Sequence, residues 1–203
     1  MADTFWNEVY GGKSESERSW SDEALDEVWT LVDELELAHD DPIIDIGAGS
    51  ARFLEGLLAR GFSDVTALDL SDVALAEARA RLGASTSISW IVSDVTLWAP
   101  TRQYALWRDR ATFHFLTSEA SQEQYRDVAR RAIRPHGWLL LSTFALDGPA
   151  TCSGLEVRRW GTDEIDAFVH DDFALLSSER RVHVTPWGSE QAFNTWLFQR
   201  RSS

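Results

Sequence analysis

From Pro42 to Phe144 the sequence repeats one pattern: a short apolar run, a turn, then a stretch with apolar residues at helical spacing. The apolar runs are PIIDI, DVTALDL, ISWIVSD, YALWRDR and GWLLLSTFA, and the helical stretches include ARFLEGLLAR, SDVALAEARARLG and SQEQYRDVARRAIRP. Runs of five to nine residues rich in Val, Ile and Leu read as strands with both faces covered, and intervening periodic segments read as the helices that cover them. Alternation of this kind specifies an α/β chain with a doubly wound, mostly parallel sheet.

Local signals set the element ends. Gly61 and Gly83 follow helical runs as C-caps, Ser71 precedes one as an N-cap, and Pro135 closes the helix before the fifth strand. Upstream, Leu25, Val28, Trp29, Leu31, Val32 and Leu35 predict an amphipathic helix over 21–38, capped by Ser21. Downstream of a loop rich in Gly and Pro, a short helix is expected at TDEIDAFV. Two last strands, FALLSSERRVHV and QAFNTWLFQRR, should pair as a hairpin around the turn TPWGSE.

The 203 residues, 44% of them apolar, suffice for one core, so a single domain over 1–203 is expected, with 1–20 as an N-terminal cover segment and 21–203 as its core. A net charge of −14 repels polyanions, which argues against a nucleic-acid partner. No apolar run is long enough to cross a bilayer, and the polar start lacks a signal peptide's pattern, so a soluble, cytoplasmic chain without membrane attachment is expected, as a monomer or a dimer. Cys152 is the lone cysteine, which excludes an intrachain disulfide and a cysteine-cluster zinc site. Nine acids between Asp22 and Asp41, with no Lys or Arg among them, read as a solvated helix face, with a dock for a basic partner as the other option.

Open parallel sheets bind ligands beyond the carboxyl ends of their strands, where strand order reverses, which directs attention to Asp45-Ile46-Gly47-Ala48-Gly49-Ser50. Glycines at 47 and 49 permit a sharp turn and a close approach to a ligand, and the next helix offers free amide groups. Either S-adenosyl-L-methionine (SAM) or a dinucleotide suits such a turn. Asp45 attracts the cationic amino-acid end of SAM and repels a pyrophosphate. Bulky Arg52 stands where the dinucleotide fingerprint wants a small residue. Asp69 ends the second strand, placed to take both ribose hydroxyls, and Asp94 ends the third, placed for the adenine amino group with the Val95 amide for a ring nitrogen. Each acid alone also fits a cap or turn role.

With D-I-G-A-G, A-L-D-L and V-S-D-V in this order, the chain resembles the class I SAM-dependent methyltransferases over roughly residues 40 to 200. The resemblance implies a seven-stranded sheet with an antiparallel final strand, and S-adenosyl-L-homocysteine (SAH) as product. It further implies Asp45, Gly47, Ala48 and Gly49 around methionine, Asp69 and Leu70 at ribose, and Asp94 and Val95 at adenine. Ala51 departs from the glycine common there; an alanine in a helical first turn would cost little. The opening W-N-E-V-Y-G-G-K, followed by Ser19-Trp20, is similar to the thiopurine S-methyltransferase and tellurite-resistance methyltransferase branch, which implies that Trp6 and Trp20 cover the cofactor.

Methyl transfer from a sulfonium is an in-line displacement that needs alignment and a dry pocket and requires no metal. The acceptor is expected beyond the fourth strand, with Asp109 close to both cofactor and acceptor, Arg110 beside it, His114 as a general base, and Cys152 and Trp187 closing the substrate side. The segment lacks the Asn/Asp-Pro-Pro-Tyr/Phe element that grips planar nitrogens, which disfavours nucleobase and glutamine acceptors. A small-molecule acceptor, a thiol or another soft nucleophile, is the reading these residues favour. A protein lysine is the alternative acceptor, and non-catalytic binding of SAM or a nucleotide is the alternative of another class.

Overall fold

The computed structural model describes residues 2–12, 18, 26–83, 87–185 and 187–202. Helix α1 (Ala2–Gly12) and helix α2 (Asp26–Glu34) precede the alternating core. That core runs β1 (Ile43–Ile46), α3 (Arg52–Ala59), β2 (Val65–Asp69), α4 (Asp72–Leu82), β3 (Ile88–Val92), β4 (Tyr104–Arg110), α5 (Glu119–Ala132) and β5 (Ile133–Phe144). A two-stranded hairpin, β6 (Thr151–Cys152) and β7 (Leu155–Glu156), is followed by α6 (Thr162–Val169), β8 (Phe173–Val184) and β9 (Glu190–Arg200).

Seven strands form one sheet in the order β3-β2-β1-β4-β5-β9-β8. β1 pairs in parallel with both β2 and β4, so the order turns back on itself between β1 and β4 and opens a crevice at their carboxyl ends. β9 runs antiparallel to β5 and to β8, the arrangement expected for the last strands.

The period-2 alternation of each strand divides the core into two layers. Ile43, Leu106 and Leu140 pack with Trp29 and Val32 of α2, Phe53 and Leu57 of α3, and Leu75 of α4. On the opposite face Ile44, Trp107, Leu141 and Trp196 pack with Tyr125 and Val128 of α5 and Ile165 of α6. Trp160 and Trp196 are fully buried in this second layer. Among the described residues, no helix is long and apolar enough to cross a membrane.

Two boundaries differ from expectation. The described part of α2 ends at Glu34, four residues early, because Glu36 turns left-handed with φ 49°. Ser21 and Leu25, the predicted start of that helix, lie outside the described residues. β5 begins at Ile133 instead of Gly137: an irregularity opposite Tyr104 and Leu106, with His136 at φ 61°, lets the strand pass through Pro135.

Candidate active site

The loop after β1 is a left-handed turn, with φ 63° at Gly47 and 51° at Gly49. Both positions also need to lack a side chain. A Cβ on Gly47 would lie 1.8 Å from Thr112 Oγ1, and one on Gly49 would lie 2.6 Å from the Tyr10 hydroxyl. Ala51 follows at φ 55° as the N-cap of α3, so it occupies the left-handed region and not a helical first turn. The expectation of a small cost fails for that reason: a left-handed alanine carries about 1–2 kcal/mol of strain.

Asp69 ties this turn to the end of β2. Its two carboxylate oxygens accept hydrogen bonds from Gly49 N and Ser71 N, each at 2.8 Å. Burial raises its pKa, opposed by these amides. Each oxygen has a second lone pair, so the carboxylate retains capacity for a ligand while holding the loop. Asp94, past β3, forms a local turn in which Oδ1 accepts from Thr96 N at 2.8 Å and from the Thr96 hydroxyl at 2.7 Å.

One pocket of about 540 Å³ joins these features, within the range of small-ligand sites, roughly 300–1,000 Å³. Asp45, Gly47, Ala48, Gly49, Asp69, Leu70, Asp94 and Val95 all line it. Trp6 and Tyr10 line it too, four residues apart on one face of α1. Helix α1 is held there by Ser71 Oγ, which donates to Asn7 Oδ1 at 2.6 Å, and by Arg18, which donates to Tyr10 O at 3.0 Å and pairs with Glu77 at 2.8 Å. Trp20 lies outside the described residues.

The far end of the same pocket is aromatic. Phe115, Phe144 and Phe193 line it with Leu155, Cys152 and Arg110, whose guanidinium sits 4.7 Å above the Phe193 ring. Trp6 reaches across to meet Phe115 edge-on at 5.0 Å. Burial pushes the Cys152 thiol pKa up, and the nearby charge of Arg110 pulls it down.

Three sequence expectations need correction. Asp109 does not line this pocket, because alternation along β4 turns Arg108 and Arg110 toward the α3 face and Asp109 toward α5. There it is fully buried, accepting from the Tyr125 hydroxyl at 2.7 Å and from the amides of Thr112 and Phe113; desolvation raises its pKa to about 7. His114 is also fully buried, between Phe115 and Phe144, and neither ring nitrogen has a hydrogen-bond partner. Desolvation, aided by the charge of Arg110, lowers its pKa to about 3, too weak for a base near neutrality. Trp187 is 59% exposed at the tip of the β8–β9 hairpin, outside the pocket lining.

Sequence reasoning missed Arg108, Tyr10 and Thr112. Arg108 sits beside Asp45 in the β1–β4 register and pairs with it at 3.0 Å. The helical spacing of Trp6 and Tyr10 was the available signal for Tyr10. A one-residue shift of face along YALWRDR was the signal for Arg108.

Residues 43–137 match the protein family described as Methyltransferase domain. Malonyl-[acyl-carrier protein] O-methyltransferase 2 of Ilyobacter polytropus is 27% identical over 106 residues, 52% of this chain and 40% of that protein. The chain thus spans less than half the length of the curated relatives it matches. A solved structure concerned with conversion of a disulfide bond into a thioacetal group during echinomycin biosynthesis superposes with a TM-score of 0.77 at 18% identity, covering 98% of this chain and 93% of that one. The N-methyltransferase NodS of Bradyrhizobium japonicum, crystallised with SAH, gives 0.74 at 16% identity, covering 97% and 98%. The fold is that of a class I methyltransferase. Its methyltransferase-domain match spans β1 through the start of β5, which is the stretch that carries the glycine turn and all three strand-end acids.

Proposed function

We propose that this chain transfers a methyl group from SAM to a small molecule, and that the acceptor atom is a thiol sulfur or another soft nucleophile. The observation that carries the reading is a single pocket with two unlike ends, hydrogen-bonding carboxylates and a glycine cradle at one and a chamber of aromatic rings around Arg110 at the other. The left-handed cradle, closed to any Cβ by Thr112 and Tyr10, fits a ligand that must approach backbone closely. Asp69 and Asp94 are suited to hold the ribose and the adenine, and Trp6 and Tyr10 to cover them. That cover agrees with the resemblance of the N-terminus to the thiopurine and tellurite branch.

SAM supplies an electrophilic methyl on a sulfonium. When an acceptor lone pair forms the new bond to that carbon, the old carbon–sulfur bond breaks with its electron pair returning to sulfur, leaving SAH. The protein's part is to align the two and exclude water. His114 is sealed away, and Arg110 places a positive charge among the rings, which favours an acceptor that arrives as an anion. A desolvated thiolate meets both conditions, since it needs no base and is stabilised by a cation. The relatives' names include an O-methyltransferase and an N-methyltransferase, so on this reading the chamber and not the fold selects the acceptor.

The test is transfer of labelled methyl from SAM to a panel of small aromatic and aliphatic thiols, beside amines, carboxylates and a protein lysate. Label in the thiols at neutral pH is the expected result. Label confined to lysate protein would overturn the small-molecule reading in favour of a protein lysine.

A further inference from the structure

Parallel strands covered on both faces are ordinarily continuous apolar runs. β1 and β4 break that pattern side by side: Asp45 interrupts Ile43–Ile46, and Arg108 follows the buried Tyr104–Trp107. They are register neighbours, their side chains pair at 3.0 Å, both are buried at 1% and 7% exposure, and both line the pocket beside the glycine turn. The Arg108 guanidinium also rests 4.6 Å above the Phe53 ring, itself stacked on Trp29 at 5.0 Å, which fixes its orientation.

An ion pair set in a sheet interior is a poor stabiliser, because desolvating both charges offsets most of their attraction. Its retention at the mouth of a ligand pocket calls for another role. The amino-acid end of SAM is a zwitterion, with an ammonium and a carboxylate on one carbon. A buried negative and positive group, adjacent and both facing the pocket, form its complement.

We propose that Arg108 is a cofactor-binding residue that takes the α-carboxylate of SAM while Asp45 takes the α-ammonium. The protein's internal ion pair thereby becomes a four-charge cluster on binding. This rests on the SAM reading above and adds a residue to it. It also gives Asp45 a second function: before the ligand arrives, Asp45 holds the Arg108 fork in place, so little ordering is left for the binding step.

The test compares two ligands that share the adenosine but differ at the amino-acid end. SAH carries that end and 5′-methylthioadenosine lacks it. Both are titrated calorimetrically into wild type, Arg108→Gln and the uncharged pair Asp45→Asn/Arg108→Gln, the last guarding against a buried unpaired carboxylate that could unfold the single variant. The expected result is that SAH affinity falls about tenfold to a hundredfold in both variants, the usual loss for charge-assisted bonds, while 5′-methylthioadenosine affinity stays within about twofold of wild type. Equal weakening of both ligands, or no change in either, would overturn the role of Arg108. Failure of wild type to bind either ligand would instead overturn the SAM reading beneath it.

Discussion

The two ends of the pocket are built from different physics. At the β1–β3 end, recognition is made of backbone amides and carboxylates: Asp69 holds Gly49 and Ser71, Asp94 holds Thr96, and Asp45 holds Arg108. Beyond β4 the lining includes Phe115, Phe144 and Phe193, with Arg110 stacked over Phe193 and Glu156 also on the lining. A hydrogen-bonded end discriminates strongly, since a wrong ligand leaves buried polar atoms unpaired, whereas an aromatic chamber discriminates by shape and by charge alone. The division lets one fold keep its cofactor while exchanging acceptors.

Four substitutions sharpen or break that division. The largest effect is expected from Gly47→Ala, which meets Thr112 Oγ1 at 1.8 Å in a left-handed backbone. Strain and overpacking together imply a loss of about 2–4 kcal/mol, read as weakened SAH binding and a lower denaturation midpoint. Adding Thr112→Ala should recover the steric part and leave the backbone strain. Next, Asp69→Ala should weaken SAM binding by about 1.5–3 kcal/mol; an unchanged affinity would remove Asp69 from the site and blur the contrast between the two ends.

Asp109 lies behind the pocket, on the α5 side of β4, and its effect is on stability. Burial pushes its folded pKa up to about 7, above the ordinary aspartate value of about 3.9, so the native state holds this proton more tightly than the unfolded chain. Stability from this group is therefore fully present below about pH 4 and declines as pH rises to about 7, by at most about 1.4 kcal/mol per pH unit. Asp109→Asn should remove that slope in denaturant titrations across the same window. A slope unchanged in the variant would assign it elsewhere. The smallest effect is expected from His114→Leu, which replaces a ring with two unsatisfied nitrogens. Relief of buried, unpaired polar atoms predicts a gain of about 1 kcal/mol in stability with methyl transfer retained. Loss of transfer with stability intact would restore His114 as a participant.

The first end was legible in the sequence because its information is local. An acid closing a strand and a glycine opening a turn are visible within a few residues, and the parallel topology then brings the strand tips together. Face assignment at β4 was not legible: Arg108, Asp109 and Arg110 are consecutive, and only the observed register shows which of them meet the pocket and which meets Tyr125. Long-range assembly hid the second end as well, since β4, β5, the β6–β7 hairpin and β9 each contribute a wall. Trp187 was misplaced because two strands of 12 and 11 residues carry the hairpin tip away from the pocket. His114 was read as a base from the ordinary imidazole pKa near neutrality, which its burial without a hydrogen-bond partner lowers to about 3.

The central claim is that three neighbouring strand tips hold one adenosyl-amino-acid ligand across a glycine bend. Calorimetric titration of the wild-type protein with SAH and, separately, with NAD tests it most directly. The account predicts one-site binding of SAH and no measurable heat with NAD. Binding of NAD with none for SAH would contradict it.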